Sequence, residues 1–463
     1  MTRRVLVVQD CTVLTMDARR RELAGAWVAV DTDAGTILAV GEGASGTRPP
    51  LGPDVEATYR SGAGCVLTPG LVNTHHHLYQ WATRGMAVDA TLFGWLTALY
   101  PIWAGIDEGT VGDAARAALA WLARTGCTTT TDHHYVFPRG AGDLLGAEVA
   151  AAADVGVRFH PTRGSMDLGA SRGGLPPDDV VEEIGCALAA TADAVDRFHD
   201  PRRGAMVRIG VAPCSPFSAS AELMRESAAL ARDRGVRMHT HLAETDDEES
   251  FCRDRFGVGP VEYAERLGWV GPDVWLAHAV HLTDSDVRRL ADSRTGVAHC
   301  PTSNARLGAG IARVRDLIDA GVPVGLGVDG AASNESASML EEARHALLLA
   351  RARAGPQALG VRDALELATL GGARLLGRED DIGSVEPGKR ADLALWRVDG
   401  LGHAGIADPV AALVLGDRPP LELLLVDGKV VVEHDRVVTV DEDEVARGAA
   451  AAHAALLERA EGR

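Results

Sequence analysis

Eight short apolar runs alternate with helix-prone, often Ala-rich stretches through the middle of the chain. The runs have the length of strands, and they lie at 66–72, 127–131, 157–160, 207–212, 236–241, 274–278, 296–300 and 322–328. The helices expected between them include 108–124, 178–198, 220–234 and 284–292. Eight strand–helix alternations over roughly 300 residues predict an α/β fold with a (β/α)8 TIM barrel. A doubly wound open sheet is the alternative that this pattern leaves open.

Strand-like segments flank this region on both sides. Short strands with Gly and Pro turns are expected before it, at 4–8, 26–30 and 36–40. After a last helical pair at 339–352 and 362–376, strands are expected at 391–396, 411–415, 423–426 and 429–432, followed by an Ala-rich helix at 442–461. Each flank is too small for a stable domain. We therefore expect residues 1–63 and 379–463 to form one small β-sandwich beside a barrel of residues 64–378.

Composition limits which binding partners and which cellular compartment can be expected for this chain. With a net charge of −19, the 463-residue chain lacks the positive face that binding to nucleic acid or to an anionic membrane requires. No apolar run reaches 18 residues, so no transmembrane helix is expected, and the N-terminus turns polar too soon for a signal peptide. The seven cysteines include no Cys-x-x-Cys pair, which argues against a disulfide framework. We expect a cytoplasmic homo-oligomer that acts on a small molecule.

Histidines and an aspartate stand at the C-terminal ends of four predicted strands, where TIM barrels place their catalytic residues. In chain order these residues are His75, His76, His77, His239, His241, His278 and Asp329. Because alternate residues of a strand share a face, His75 and His77 point together while His76 points away. Three imidazoles and one carboxylate, with water in an open position, suit a catalytic divalent metal. The predicted metal ligands are His75, His77, His241 and Asp329.

Glu244 lies three residues after His241, where it can approach the metal without ligating it. A carboxylic acid at that point can carry a proton between water and a substrate nitrogen. His278 can hydrogen-bond the hydroxide and the oxyanion-like intermediate. A solvated acidic loop at 244–249 and a core histidine are the alternatives for these residues. We predict Glu244 and His278 as catalytic residues.

Four segments resemble the amidohydrolase superfamily, in the branch that uses one metal to deaminate purines, pyrimidines and triazines. They are 69–77 (PGLVNTHHH), 239–244 (HTHLAE), 299–304 (HCPTSN) and 328–330 (VDG), and the similarity continues at 383–392 (GSVEPGKRAD). The resemblance implies a divalent metal, Zn2+ or alternatively Fe2+. Some metal hydrolases of this barrel type bridge two metals with a carboxylated lysine from strand four. Here the only two lysines, Lys389 and Lys429, follow the barrel, so one metal is expected.

Other segments resemble the members of this family that convert 8-oxoguanine to urate and ammonia. They are 77–80 (HLYQ), 92–96 (LFGWL), 163–166 (RGSM), 173–178 (GGLPPD) and 212–218 (APCSPFS). The resemblance implies that Glu244 protonates the ring nitrogen while Asp329, aided by His278, takes a proton from the attacking water. The substrate contacts suggested in this way are Gln80 at a ring carbonyl, Cys214 at the 8-oxo edge and Trp95 as a wall.

Several alternatives stay open at this point. The same chemistry could act on guanine or isoxanthopterin, or could displace a group from an s-triazine as an aminohydrolase or chlorohydrolase. A non-catalytic binding protein that kept the barrel would be expected to have lost ligands or Glu244, and both are present.

Overall fold

The chain begins with five strands, of which the first directs alternate side chains to two buried clusters. In the computed structural model, which describes residues 3–43, 49 and 51–462, they are β1 (Arg3–Leu14), β2 (Glu22–Asp31), β3 (Thr36–Glu42), β4 (Val55–Ser61) and β5 (Cys65–Pro69). Val5 and Val7 of β1 pack with one apolar cluster, and Leu6 and Val8 pack with another. This period of two is the strand signal that the sequence carries.

A closed eight-stranded parallel barrel follows, and the predicted (β/α)8 architecture is confirmed. Its strands are β6 (Leu71–Asn73), β8 (Cys127–His134), β9 (Arg158–Ser165), β10 (Gly210–Pro213), β11 (Met238–Leu242), β12 (Val274–His278), β13 (Gly296–His299) and β14 (Val324–Leu326). Two further short strands, β7 (His76–His77) and β15 (Asp329–Gly330), pair with each other at the mouth of the barrel.

Fifteen α-helices accompany these strands in the described part of the chain. They are α1 (Leu92–Trp103), α2 (Glu108–Arg124), α3 (Leu144–Val155), α4 (Ile184–Phe198), α5 (Ala221–Arg234), α6 (Asp246–Phe256), α7 (Pro260–Arg266), α8 (Asp284–Ser293), α9 (Pro301–Arg306), α10 (Val314–Asp319), α11 (Met339–Ala354), α12 (Val361–Glu366), α13 (Gly372–Leu375), α14 (Pro409–Leu415) and α15 (Glu442–Glu461). Short 3-10 helices lie at Leu78–Thr83 and Ala170–Arg172, and a π-helical turn lies at Leu367–Gly371. In the described part of the chain, no helix combines the length and apolarity needed to cross a membrane.

The C-terminal segment returns to the strands of the N-terminal segment. It adds β16 (Leu393–Arg397), β17 (Leu421–Val426), β18 (Lys429–Glu433) and β19 (Arg436–Val437). The strand order is β19-β18-β17-β16-β5-β1-β2-β3, with β4 paired to β1, which makes one nine-stranded mixed sheet. The predicted association of the two flanks is therefore confirmed. The exact ranges of the predicted domains stay a prediction.

The first predicted barrel strand, 66–72, is wrong in extent because the chain changes sheets at Gly70. Cys65–Pro69 belongs to the mixed sheet, and only Leu71–Asn73 enters the barrel. A Cβ at Gly70 would lie 2.1 Å from Oγ1 of Thr128, so the close crossing requires glycine. As a result His75 follows the barrel strand instead of ending it.

The predicted strand at 411–415 is wrong in type, because these residues lie in α14. Asp408 precedes the helix, and its carboxylate accepts hydrogen bonds from the backbone N–H groups of Val410 and Ala411. Pro409 occupies the first helical turn, where its missing N–H costs nothing. An Asp-Pro helix start therefore overrides the apolar run that follows it.

Candidate metal centre and active site

Three imidazoles and one carboxylate converge at the mouth of the barrel. Nε2 of His77 lies 3.1 Å from Nε2 of His241. Oδ1 of Asp329 lies 3.3 Å from Nε2 of His75 and 3.4 Å from Nε2 of His77. The exposed fractions of His75, His77, His241 and Asp329 are 0%, 3%, 9% and 5%. The four residues predicted as ligands are thus brought together, and the pairing of β7 with β15 places Asp329 beside the His triplet.

Hydrogen bonds at Nδ1 fix the tautomer of two of these imidazoles. Nδ1 of His77 donates to the carbonyl oxygen of His133, and Nδ1 of His241 donates to the carbonyl oxygen of Cys214, both at 2.7 Å. A carbonyl oxygen can only accept, so the proton of each neutral ring lies on Nδ1. The two Nε2 atoms that face each other therefore both carry lone pairs.

His239 fixes the third imidazole in the same way. Nδ1 of His239 donates to the carbonyl oxygen of Trp275 at 2.8 Å, which leaves its Nε2 as an acceptor. Nδ1 of His75 lies 2.8 Å from that Nε2 and is therefore the donor. Nε2 of His75 faces the centre, where it has no hydrogen-bond partner within the part of the chain described by the structure.

Converging lone pairs require a cation. Two neutral imidazole nitrogens at 3.1 Å repel each other unless a positive ion lies between them, and the carboxylate of Asp329 adds a negative charge to the same point. Nitrogen and oxygen donors with a buried hydrogen bond behind each ring are the donor set of catalytic divalent metals. The residues present therefore fit a divalent metal.

Burial and neighbouring charges give the four predicted ligands the protonation states that metal binding requires. Burial lowers the pKa of His77 to about 4 and, with the neighbouring imidazoles, holds the pKa of His75 and His241 well below the usual range. Burial acts in the opposite direction on Asp329. The close contact with His75 and the charges of His278 and His77 outweigh it and hold the pKa of Asp329 well below the usual range. Neutral imidazoles and an ionised carboxylate are what metal ligation needs.

Two hydroxyl groups orient Asp329. Ser303 of α9 and Ser333 both donate to Oδ2, and the backbone N–H of Gly330 donates to Oδ1 at 2.7 Å.

The backbone of two residues at the centre is in the left-handed region. Asp329 has a φ of +60°, and His278 has a φ of +72°. Left-handed non-glycine residues cost about 1–3 kcal/mol each and concentrate at functional sites.

Glu244 and His278 lie together beside the centre. Oε2 of Glu244 lies 3.6 Å from Nε2 of His278, whose Nδ1 donates to Oδ1 of Asn304 at 2.9 Å. Burial raises the pKa of Glu244 to about 7. At His278 burial lowers the pKa, but the charges of Glu244 and Asp329 outweigh it and raise the pKa above 6.5. A carboxyl group that titrates near neutrality can both donate and accept a proton.

A pocket opens onto these groups. Its walls are mainly apolar and include Leu92, Trp95, Leu96, Leu175, Phe217 and Leu307. All three predicted substrate contacts, Gln80, Trp95 and Cys214, line this pocket.

The three predicted substrate contacts present different chemical groups to the pocket. Gln80 is fully buried, and among the described residues neither its Nε2 nor its Oε1 has a hydrogen-bond partner. Gly330 makes room for it, since a Cβ there would lie 1.7 Å from Oε1 of Gln80. The indole N–H of Trp95 donates to Ala332, so the ring alone faces the pocket. Burial raises the pKa of Cys214 to about 12, which keeps it a thiol.

Sequence reasoning missed two supports of the centre. His239 shares a strand face with His241, and that alternation was a usable signal for its place behind His75. Ser303 lies in the 299–304 segment, which is typical of a shaped loop and gives no sign of a partner near residue 329. Apolar wall residues such as Phe217 resemble any core residue, so no sequence signal identifies them.

Comparison with known proteins agrees with this geometry. Residues 66–431 match the Amidohydrolase family. The chain is 48% identical over 365 residues to an 8-oxoguanine deaminase of Pseudomonas aeruginosa, with 78% of this chain and 81% of that protein covered. It is 38% identical over 417 residues to an isoxanthopterin deaminase of an unknown prokaryotic organism, with 85% and 86% covered.

A solved structure shares nearly the whole fold. The atrazine chlorohydrolase of Arthrobacter aurescens TC1, complexed with zinc, superposes with a TM-score of 0.91 at 33% identity. The superposition covers 97% of this chain and 100% of that one. The chain therefore belongs to the amidohydrolase family.

Proposed function

We propose that this chain is a metal-dependent hydrolytic deaminase that converts 8-oxoguanine to urate and ammonia. The observation that carries the reaction class is the convergence of three Nε2 lone pairs and the Asp329 carboxylate at the inner end of a pocket, beside Glu244. The substrate is supported by the 48% identity to an 8-oxoguanine deaminase. The bond broken joins an amino group to a carbon of a cyclic amidine.

The metal would be a single divalent ion, zinc or alternatively Fe2+. The residues that would hold it are His75, His77, His241 and Asp329. When bound, such an ion supplies Lewis acidity and lowers the pKa of a coordinated water to about 7.

The remaining chemistry belongs to side chains of the chain. Asp329 accepts a proton from the attacking water, because it is the ionised carboxylate of the centre. Glu244 gives a proton to the ring nitrogen beside the amino-bearing carbon, so that negative charge need not build up on the ring. His278 hydrogen-bonds the oxygen that adds to this carbon. Asp329 then gives the proton that it took from the water to the amino group, and the hydroxyl proton of the adduct returns to Glu244 as ammonia leaves.

Recognition of the ring rests on the pocket walls. The amide of Gln80 can donate to a ring carbonyl and accept from a neighbouring ring N–H, which would satisfy both of its buried atoms. Trp95 offers a flat apolar face for a bicyclic heterocycle. The thiol of Cys214 lies 3.9 Å from Nδ1 of His241 and is placed for a contact with the 8-oxo edge.

A substrate screen tests the proposal. Zinc-loaded protein is incubated with 8-oxoguanine, guanine, isocytosine and isoxanthopterin, and ammonia release is measured, with chloride release measured for a chlorotriazine. We expect the highest kcat/KM with 8-oxoguanine, and urate as its product. Turnover of another compound while 8-oxoguanine stays inert would contradict the substrate and leave the reaction class intact. Inertness toward all of them would contradict the proposed function.

A further inference from the structure

A second cluster of buried polar side chains lies on β8 and α3, among residues that do not line the pocket. Asp132, His134 and Glu148 each have an exposed fraction of 0%. One nitrogen or oxygen atom of each lies within 4.8 Å of those of the other two. The proposed reaction assigns these residues no role, yet buried ionisable groups are costly unless they are neutral or paired.

The contacts within the cluster indicate which of its atoms donate hydrogen bonds and which accept them. Nε2 of His134 donates to the carbonyl oxygen of Val136 at 2.9 Å, which leaves Nδ1 as an acceptor in the neutral ring. Oε1 of Glu148 lies 2.7 Å from this Nδ1. A protonated Glu148 therefore donates to His134. In the described ranges of the chain, Oε2 of Glu148 and Oδ2 of Asp132 have no partner. The carboxyl groups of Asp132 and Glu148 lie close enough for a hydrogen bond between them, which requires a proton on one of the two.

The physical environment favours the neutral forms. Burial raises the pKa of Asp132 and of Glu148 well above their usual ranges. Burial lowers the pKa of His134 to about 4. With one proton on each carboxyl group, the three side chains can be hydrogen-bonded to one another without any charge in the interior.

The other oxygen of Asp132 reaches the pocket wall through the backbone. Oδ1 of Asp132 accepts a hydrogen bond from the N–H of Leu78 at 2.6 Å. Leu78 begins the 3-10 helix Leu78–Thr83, and His77, which precedes that helix, makes no side-chain cap bond to it. The first N–H groups of a helix have no partner within the helix. Asp132 therefore caps, from a neighbouring strand, the helix that carries Gln80.

We propose that Asp132, Glu148 and His134 form a neutral hydrogen-bond chain that positions the Leu78–Thr83 helix and thereby aims Gln80 into the pocket. Asp132 and Glu148 are positioning residues, since they touch neither the substrate nor the centre. The inference rests on the proposed function only through the substrate contact assigned to Gln80. A buried divalent metal in the same cluster is the competing explanation.

Amide substitutions distinguish a neutral chain from a charged cluster. In a neutral chain, the amides of D132N and E148Q can reproduce the donor and acceptor of a protonated carboxyl, so KM should stay within about threefold of wild type. D132A removes the cap of Leu78 and should raise KM for the heterocycle about tenfold, as expected for one buried hydrogen bond. The matched control is Thr131→Val, which changes a buried hydroxyl on the same strand that has no partner among the described residues.

A double-mutant cycle tests the link to Gln80. If Asp132 acts through Gln80, D132A should change KM by less than about twofold in a Q80A background. Equal effects of D132A in both backgrounds would overturn the inference. So would a D132N variant as impaired as D132A, or a second metal equivalent in the wild type that D132N loses.

Hydrogen exchange gives a readout that does not depend on turnover. Amides of the 78–83 segment should exchange faster in D132A than in wild type, D132N or T131V. Unchanged exchange in D132A would overturn the positioning role. If no heterocycle were turned over, the proposed function would fail, while the exchange result would still decide whether Asp132 anchors this helix.

Discussion

Replacing Glu244 by glutamine keeps the size of the side chain and removes its transferable proton. At pH 7, a carboxyl with a pKa of about 7 is protonated about half of the time. One with its ordinary pKa of 4.5 would be protonated about 0.3% of the time, so burial enriches the acid form by about 150-fold. General acid–base catalysis contributes about 10²–10⁴ to rates. We therefore expect E244Q to lose about 10²–10⁴ in kcat.

Steady-state ammonia release at saturating 8-oxoguanine measures this loss, and elemental analysis of the same preparations checks the metal. Metal content should not change, because Glu244 is not among the predicted ligands. Glu249→Gln is the matched control, since Glu249 is partly exposed on α6 and pairs with Arg253. A kcat for E244Q within about threefold of wild type would refute the proton-transfer role, since general acid–base catalysis is worth far more.

The pKa of Glu244 also predicts whether kcat/KM rises or falls with pH. The acid form of Glu244 is lost as pH rises through about 7. For wild type, kcat/KM should therefore fall about tenfold per pH unit above that point. E244Q should lack this descending limb, and its persistence in the variant would assign the limb to another group.

Three further substitutions test other parts of the structure. Gly330→Ala should raise KM by at least about tenfold, because the new Cβ would collide with the amide of Gln80; an unchanged KM would contradict the placement of that amide. His239→Leu should weaken zinc binding about 10–100-fold in competition with a chelator, because His75 loses the acceptor that orients it; unaltered affinity would contradict that role. Asp408→Ala should lower the free energy of unfolding in urea by about 1 kcal/mol through loss of the α14 cap, and Asp408→Ser should lose less; equal losses would assign the effect to another contact of Asp408.

The sequence was sufficient for the barrel because its strands repeat at regular intervals as short apolar runs. It was insufficient where an element depends on contacts from elsewhere in the chain. The run that begins at Val66 reads as one strand, but the crossing at Gly70 depends on Thr128, which is distant in sequence. The helix after Asp408 had a readable Asp-Pro start, although five apolar residues cannot by themselves distinguish a strand from a buried helix.

The same distinction holds for the candidate site, where the sequence predicted the ligands but not the residues that support them. The four predicted ligands come together because strand ends of a barrel share one mouth, and their ligation of a metal stays a prediction. The supports behind them were harder to foresee. Ser303 reaches Asp329 only because α9 packs against the segment that follows β15, and no local pattern records that approach.

The number of divalent metal ions bound per chain tests the central claim most directly. Purified protein is loaded with zinc, dialysed free of excess and measured by elemental analysis, with Asp329→Asn and His241→Asn measured in parallel. We expect one equivalent in wild type and markedly less in both variants. Two equivalents, or one equivalent that both variants retain, would contradict a single metal held by His75, His77, His241 and Asp329.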